Sequence, residues 1–274
     1  EHIFSAIRFW VDEFDIDGLR LDVAYCLDFD FLKELRRFTD GLKPEFLLLG
    51  ELLHGDYSRW VNDEMLHSCT NYQCYKGLYS SFNSMNMFEI VHSAQRLFGS
   101  EPWCMCKGMH LLNFVDNHDV TRIANNITNE KHLPLVYGMM YALPGMPCIY
   151  YGSEFGTKGD KRDGDPALRP HIEKPVETEL TDFISALSKA FKNSDALING
   201  SFRAVVLECS HCIIERKTDK ERVLVAVNAS DAPVTCHFDA GCGMAEDLIT
   251  GKPHDFGGGS TLPPYSVQFW KMER

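Results

Sequence analysis

The chain has 274 residues, of which 45% are hydrophobic and 24% are charged, and its formal net charge is −12. A chain of this length can bury a large core and can form one large domain with a smaller one. The acidic balance, without a cluster of lysine and arginine, argues against a nucleic-acid partner. No apolar run reaches the roughly 18 residues that a membrane-spanning helix needs, so we predict no membrane segment.

Ten cysteines are scattered along the chain and leave two interpretations open. A chain large enough to fold without cross-links can use reduced thiols as small apolar side chains, which predicts an intracellular, cytoplasmic protein. The alternative is a disulfide or a metal site, for which Cys209 and Cys212 form a C-x-x-C pair. Zinc would need a second such pair or histidines at ligand spacing. We find neither in the sequence and predict no metal ligands.

Short apolar strands alternate with helical segments through most of the chain. We predict strands over 16–24, 46–52, 68–73, 109–116 and 147–152, and helices over 28–42, 75–98, 131–143 and 179–194. Five strand–helix units in succession are typical of a parallel sheet covered by helices, which makes 1–199 an α/β domain. Short β-rich runs separated by turn residues predict a second domain over 200–274, a small antiparallel sandwich.

Three acidic residues follow predicted strands, which is where the catalytic groups of a parallel α/β barrel collect. Asp22 closes the first strand and Glu51 closes the second. Asp119 is the last residue of "NFVDNHD" (113–119) and follows the strand predicted over 109–116. Each of them alone could be a turn residue or half of a structural ion pair. Together, above one barrel core, they would suit glycoside hydrolysis, in which one carboxylate attacks and a protonated one donates to the leaving oxygen.

The neighbours of these acids give them the different environments that such chemistry requires. Arg20 lies two positions from Asp22, on the same face of the predicted strand, and we expect it to hold that carboxylate ionised and oriented. Glu51 follows a run of leucines, a desolvated setting that favours a protonated acid. His118 and Asp119 are adjacent in one loop and are predicted to bind sugar hydroxyls.

Several motifs carry a resemblance to a known family. The segments "GLRLDVA" (18–24), "GELLHG" (50–55) and "FVDNHD" (114–119) resemble, in this order and at this spacing, three signature regions of the α-amylase family, glycoside hydrolase family 13. The segment "GDPALRP" (164–170) resembles a later substrate-binding region. The group of cyclomaltodextrinases, neopullulanases and maltogenic amylases is the most similar. The resemblance implies an α/β fold, a (β/α)8 TIM barrel of which about strands 4–8 are present here, followed by an antiparallel β-sandwich.

Carried over by position, the resemblance makes Asp22 the nucleophile, Glu51 the general acid and base, and Asp119 the transition-state stabiliser. Substrate contacts are implied for the other motif residues, which are Arg20, His54, His118, Asp165 and Arg169. The implied reaction is hydrolysis of α-1,4-glucosidic bonds in maltodextrins, cyclodextrins or starch fragments. It proceeds with retention through a covalent glycosyl-enzyme.

Two departures from the family bear on these expectations. Leu53 stands where the cyclomaltodextrinase group often has a tryptophan, which leaves the acceptor side open. The family's first region, three preceding strands and an inserted domain that often holds calcium are absent, and 1–14 would end the third barrel helix. We therefore expect that the chain requires no cofactor. Calcium, if it is bound, would lie in that missing N-terminal part. We also expect a second copy or a separate N-terminal fragment to cover the first strand, without which the chain would be inactive.

Two further functions stay open. A glucanotransferase of the same family uses the same residues and differs only in whether water or a sugar hydroxyl attacks the intermediate. A catalytically silent member would act as a carbohydrate-binding or interaction module. Such proteins usually lack one of the three acids, and all three are present here.

Overall fold

The computed structural model describes residues 1–273. Its first part contains five short parallel strands, which are β1 (Gly18–Leu21), β2 (Leu47–Gly50), β3 (Ser68–Cys69), β4 (Leu112–Phe114) and β5 (Met146–Cys148). Strands β1, β2 and β3 pair in that order, and β4 pairs with β5. A parallel bridge between Thr70 and Leu112 joins the two groups. The five strands therefore follow one another in a single parallel series, with their carboxyl ends on the same side.

Helices lie between and after these strands, where apolar residues recur with the helical period. Asp28 shows how one of them begins, because its side chain accepts the N–H groups of Asp30 and Phe31 as a helix cap. The helices are α1 (His2–Phe14), α2 (Phe29–Asp40), α3 (Tyr72–Asn83), α4 (Phe88–Phe98), α5 (Ile123–Asn126), α6 (Leu133–Ala142), α7 (Asp165–Leu168), α8 (Glu179–Lys192) and α9 (Asp195–Asn199).

The single helix predicted over 75–98 is two helices in the structure. Met85, between α3 and α4, has a φ of 50°, a left-handed conformation in which a helix cannot continue. The reversal packs α4 back against α3, where Gly77 lies next to Ile90. A methionine gives no sequence signal for such a turn, which is why the periodic pattern ran across it.

The first strand is shorter than the predicted 16–24. Pairing with β2 ends at Leu21, because Val23 has a φ of 45° and turns the chain out of the sheet. Asp22 therefore lies just after the strand rather than within it. Leu19 and Leu21 are half-buried rather than buried, since β1 is the edge of its sheet in the described part of the chain.

The second part is antiparallel. Its strands are β6 (Ser201–Leu207), β7 (His211–Lys217), β8 (Glu221–Asn228), β9 (Val234–Cys236), β10 (Met244–Asp247), β11 (Pro253–Asp255), β12 (Ser260–Leu262) and β13 (Ser266–Glu273). Six of them form one sheet in the order β11-β10-β13-β8-β7-β6, and β12 pairs with β9 separately. A small core that includes Leu224 and Trp270 belongs to this part.

The two parts share the larger hydrophobic core, which extends from Ile7 in α1 to Phe269 in β13. Helix α6 lies at its centre and contacts β13 closely. A Cβ atom on Gly138 would lie 2.8 Å from Val267 Cγ1, so glycine is required for this approach. The antiparallel sheet is thus packed directly against the helix that precedes β5.

Three further findings concern the membrane, metal and disulfide questions that the sequence raised. No helix within 1–273 is long and apolar enough to cross a membrane. No group of three or more His, Cys, Asp or Glu side chains in that range could hold a metal ion. The cysteines are unpaired, and those that lie buried are Cys69, Cys74, Cys104, Cys106, Cys212 and Cys236.

Candidate active site

Glu51 follows β2 and is fixed by its backbone and by both carboxylate oxygens. It is 6% exposed. Its N–H donates to the Leu21 carbonyl at 2.9 Å, and its own carbonyl accepts the Ala24 N–H at 3.1 Å. Oε2 accepts the Val23 N–H at 3.1 Å, and Oε1 lies 3.0 Å from Arg20 Nη2. The turn after β1 therefore closes around this carboxylate.

Arg20 binds two carboxylates at once. Its Nη1 contacts Asp22 Oδ1, as the sequence predicts, while Nη2 reaches Glu51. The Asp22 side chain is 71% exposed and that of Glu51 only 8%. Burial of Glu51 agrees with the desolvated setting expected for it, and its two oxygens are occupied by Arg20 and by the Val23 N–H. To act as an acid, Glu51 must weaken one of these contacts.

The turn that carries Asp22 is strained. Val23 is β-branched, and a positive φ is a genuine outlier for such a residue. Conformations of this kind cost on the order of 1–3 kcal/mol and persist only where the surroundings impose them. Here the Val23 N–H is aimed at Glu51. The strain accompanies the contact that links the two acids.

Asp119 gathers the other predicted residues on the β4 side. Its Oδ2 lies 3.1 Å from His118 Nε2, and its Oδ1 lies 3.1 Å from Arg169 Nη2. Arg169 also donates from Nε to the His118 carbonyl at 3.2 Å and lies 3.5 Å from Asp165 Oδ2. The structure thus brings together four residues from the loops after β4 and β5. The Asp119 side chain remains 40% exposed.

Tyr72 lies near both groups of acids and was not among the predicted site residues. Asn117 accepts the Asp119 N–H at 2.8 Å and donates from Nδ2 to Tyr72 Oη at 2.9 Å. Burial raises the pKa of Tyr72, and the charges of Glu51 and Asp119 raise it further. Its hydroxyl therefore lies within the field of both carboxylates. Its place at the start of α3, three positions after β3, was a usable signal, because the same strand-end rule selects the acids.

Arg122 is a second residue that the sequence prediction missed. It is completely buried. Nε donates to the Leu168 carbonyl at 3.0 Å, and Nη1 donates to the Tyr151 carbonyl at 2.8 Å and to Ser153 Oγ at 3.1 Å. Leu168 precedes Arg169 in the chain, so Arg122 holds the backbone beneath the Asp119 group. Arg122 and Leu168 are 46 positions apart in the chain, so the contact becomes visible only when the structure shows where the two loops run.

Asp116, the first acid of "FVDNHD", has a structural environment. It is 1% exposed and accepts the Ile123 N–H at 2.8 Å and the Ser153 hydroxyl at 2.7 Å. Burial raises its pKa against the effect of these hydrogen bonds. Unlike Asp119, it does not face solvent, and its role is to fix the loop that carries the exposed acid.

His54 lies in the loop after β2, beside Tyr25 of the turn that follows β1. Its ring centre lies 6.3 Å from that of Tyr25, and it lines a separate cavity of about 560 Å³ with Asp56 and Gln73. No hydrogen bond or ion pair in the described chain joins it to the three acids. Leu53, one position earlier, is 37% exposed.

A comparison with known families decides how this arrangement is classified. Residues 1–222 match the family model described as the alpha amylase catalytic domain. The chain belongs to the α-amylase family. The match includes all the strand-end acids described above, so membership applies to the part of the chain that contains the site.

Relatives within the α-amylase family include two that span the whole chain. The cyclomaltodextrinase of Geobacillus thermopakistaniensis (strain MAS1) is 27% identical over 99% of this chain and 47% of its own length. The maltogenic alpha-amylase of Bacillus acidopullulyticus is 28% identical over 100% of this chain and 48% of its own. The chain thus spans about half the length of the curated relatives it matches.

Solved structures share the fold. An Anoxybacillus alpha-amylase aligns with a TM-score of 0.86 at 23% identity, over 99% of this chain and 62% of its own. The Geobacillus thermoleovorans alpha-amylase, complexed with acarbose, aligns with a TM-score of 0.84 at 20% identity, over 100% of this chain and 63% of its own. At these identities the likeness establishes the fold alone.

Proposed function

We propose that this chain carries the catalytic carboxylates of a retaining glycoside hydrolase acting on α-1,4-glucosidic bonds in maltodextrins, cyclodextrins or starch fragments. The observation that carries the proposal is the pairing of Arg20 with both Asp22 and Glu51 at the ends of adjacent parallel strands. Tyr72, which lies near Glu51, is linked through Asn117 to Asp119. Relatives named cyclomaltodextrinase and maltogenic alpha-amylase support the substrate class.

The shared guanidinium suits the two steps of this reaction. Before reaction, Glu51 carries the proton on an oxygen that has released its contact with Arg20 or the Val23 N–H, and Arg20 pairs with ionised Asp22, the exposed nucleophile. When Asp22 attacks the anomeric carbon and Glu51 protonates the leaving oxygen, the negative charge passes from the first acid to the second. Arg20 already contacts both, so its charge stays matched in the glycosyl-enzyme. Glu51, then ionised and bonded to the Val23 N–H, takes a proton from the attacking water.

The Asp119 group acts on the sugar ring in this proposal. Asp119 and His118 are half-exposed and adjacent, which suits hydrogen bonding to ring hydroxyls. The carboxylate also stabilises the positive charge that develops on the ring in an oxocarbenium-like transition state. Arg169 orients Asp119 through its 3.1 Å contact. Asp165 acts through Arg169.

We further place β1–β5 as strands 4–8 of a (β/α)8 barrel, with a domain boundary at 199/200 and a β-sandwich after it. Support comes from the open edge of β1 and from exposed apolar side chains on α1, of which Phe14 is 66% exposed. A second copy or a separate N-terminal fragment is proposed to cover this edge.

We propose the cytoplasm as location, since a 29% identical Bacillus subtilis relative is named intracellular maltogenic amylase.

Covalent trapping tests the proposed mechanism. A 5-fluoro-α-glycosyl fluoride forms a slowly hydrolysed ester with the nucleophile of a retaining enzyme. We expect mass spectrometry to find one glycosyl group on the peptide that contains Asp22, none in Asp22→Asn, and normal labelling in the control Asp231→Asn, an exposed turn residue. The measurement is made on the chain alone and on the chain fused to the N-terminal half of the related cyclomaltodextrinase.

Two results would contradict the proposal. Labelling that persists in Asp22→Asn, or that maps to another residue, rejects the nucleophile assignment. A wild-type chain that is labelled in neither form, although it is folded by circular dichroism, rejects the retaining mechanism. If only the fusion is labelled, the covered edge of β1 is part of the site.

A further inference from the structure

The proposed site leaves the sugar on the leaving-group side without an aromatic contact. In the proposed reaction Glu51 protonates the oxygen of the leaving sugar, so that sugar lies next to Glu51. A pyranose ring binds through its hydroxyls and through an apolar face that can pack against an aromatic side chain. Leu53, two positions after Glu51, is aliphatic. An aromatic surface for the leaving sugar therefore has to come from another residue.

The segments that follow β1, β2 and β3 each carry a tyrosine, and only the one after β1 is both accessible and without a hydrogen bond. Tyr57 is completely buried. Tyr72 packs against Phe114, with ring centres 4.8 Å apart, and its hydroxyl already accepts a hydrogen bond. Tyr25 is half-buried, and its hydroxyl bonds to no other residue within 1–273. Tyr25 is thus the tyrosine whose side chain can still take a ligand.

Backbone hydrogen bonds tie the segment of Tyr25 to Glu51. The Val23 N–H binds the Glu51 carboxylate and the Ala24 N–H binds the Glu51 carbonyl, both at 3.1 Å. A 3-10 turn over Ala24–Cys26 follows directly. Since consecutive Cα atoms are about 3.8 Å apart, the Cα atom of Tyr25 lies within about 7.6 Å of that of Val23. Tyr25 is therefore held close to the acid by the same turn that bonds to it.

His54 approaches the Tyr25 ring from the loop of Glu51. The two ring centres lie 6.3 Å apart, with 41° between the ring planes. No other aromatic ring within 1–273 stacks on Tyr25, and part of its side chain packs against the large hydrophobic core. One part of the ring is thus fixed while the rest is accessible. A tyrosine in this state can contact a sugar with little further loss of side-chain freedom.

We propose that Tyr25 determines specificity on the leaving-group side, where its ring packs against the sugar beyond the cleaved bond. The inference rests on the function proposed above. An acceptor sugar attacks the glycosyl-enzyme from the position that the leaving sugar has vacated, so the same contact favours transfer over hydrolysis. Tyr25 therefore favours α-glucan substrates over glycosides with a small leaving group.

Two substrates with the same glycosyl group and different leaving groups test this role. Maltotriose releases a sugar, whereas α-maltosyl fluoride releases fluoride, which makes no stacking contact. In the protein that hydrolyses maltotriose, alone or completed as proposed above, Tyr25→Ala should lower kcat/KM for maltotriose by about tenfold. It should leave kcat/KM for the fluoride within about twofold of wild type, since no contact to that substrate is lost.

Two further variants separate the ring from its hydroxyl and from a general effect of removing an aromatic side chain. Tyr25→Phe keeps the ring and should stay within about threefold of wild type on both substrates. Trp103→Ala removes an aromatic side chain that is 62% exposed and lies after α4, and it should change neither value.

The share of transfer product is the second measurement. With α-maltosyl fluoride as donor and glucose as acceptor, transfer gives maltotriose and hydrolysis gives maltose. Tyr25→Ala should lower the initial ratio of maltotriose to maltose by about fivefold or more, because the acceptor loses its aromatic contact. Chromatography of the products at early times measures this ratio.

Three results overturn the inference and leave the proposed function standing. They are an equal loss on both substrates in Tyr25→Ala, a loss in Tyr25→Phe as large as that in Tyr25→Ala, and an unchanged ratio of transfer to hydrolysis. If circular dichroism shows that Tyr25→Ala does not fold, Tyr25→Leu, which keeps apolar packing without a ring, decides by the same comparison. A wild-type protein that acts on neither substrate overturns the proposed function together with this inference.

Discussion

Glu51 and Glu215 are both buried glutamates that contact arginine, yet they lie in regions built for different purposes. Glu51, at the end of a parallel strand, shares one arginine with Asp22. Glu215, in the middle of an antiparallel strand, has two arginines for itself. The first region has more carboxylates than cations, and the second has more cations than carboxylates.

On the function proposed here, this ratio of carboxylates to cations distinguishes a reactive site from a structural ion pair. Where one guanidinium serves two acids, one acid can take a proton or a covalent bond while the other keeps its partner. Where two guanidinium groups serve one acid, protonation removes a partner from both, so the acid is held ionised. Burial alone does not distinguish the two cases, since these glutamates are 6% and 4% exposed.

The largest expected effect is on catalysis. In the protein that hydrolyses maltotriose, alone or completed as proposed above, Asp22→Asn and Glu51→Gln should each lower kcat by about a thousandfold or more, since each removes a chemical step. Glu215→Gln should leave kcat within about twofold of wild type, because Glu215 contacts Arg203 and Arg222 of the antiparallel sheet and none of the three acids. Steady-state kinetics on maltotriose measures all three. An Asp22→Asn variant with a tenth of the wild-type rate would remove the distinction between the regions.

Arg122 tests whether a buried arginine can serve the site without touching substrate. Arg122→Lys should lower kcat/KM by about ten- to a hundredfold, because it loosens the backbone beneath Arg169 by losing the Leu168 contact. The loss should fall mainly on kcat and leave the pH profile of kcat/KM in place. Arg162→Lys, whose side chain is 88% exposed, is the control. Equal effects of the two variants would make Arg122 a general stability residue.

In the antiparallel sheet, the ion pairs of Glu215 should affect the stability of the fold rather than catalysis. Burial would raise the pKa of Glu215, but the hydrogen bonds and charges of Arg203 and Arg222 outweigh it and lower the pKa below the ordinary 4.5. A depressed carboxyl pKa adds stability above that ordinary value, and this is lost as the pH falls through the lowered pKa.

Glu215→Gln should therefore lower the free energy of unfolding by about 2 kcal/mol at pH 7. The deficit relative to wild type should shrink as the pH falls below about 4. Urea unfolding at several pH values measures it, with the exposed Glu246→Gln of the same sheet as control. A deficit that does not change with pH would mean that the pair contributes packing rather than charge.

The smallest expected effect concerns the leaving-group side. Leu53 is exposed just after Glu51, and Leu53→Trp offers an aromatic surface on which a sugar can stack. We expect the KM for maltotriose to fall by about two- to fivefold, or the share of longer transfer products to rise. Chromatography of the products separates the two. If neither quantity changes, Leu53 does not line the acceptor site, and another loop must form it.

The sequence was sufficient to locate the strands and the acids, because both leave local patterns. Apolar runs end where the carboxylates begin, and the structure places Asp22, Glu51 and Asp119 directly after, or in the loop after, parallel strands. The strand lengths were overestimated, since nothing local announces the left-handed Val23. His54 was expected to contact substrate by its place in a motif; it lies beside Tyr25, and its substrate contact stays a prediction.

The residues that sequence reasoning missed are those whose partners are distant in the chain. Tyr72 meets Asn117 across 45 positions and Arg122 meets Leu168 across 46. Neither spacing is periodic, so no pattern encodes it.

The strained Val23, next to the proposed nucleophile Asp22, sets stability against rigidity in this turn. Glycine at 23 would adopt the same φ without strain, and relief of a strained conformation commonly raises stability. The same change would free the backbone that aims an N–H at Glu51 and carries Asp22. Selection for heat resistance would therefore favour Val23→Gly, while selection for turnover would oppose it. A laboratory screen for protein that stays folded after heating would therefore recover a variant with higher thermal stability and a less rigid turn at Asp22.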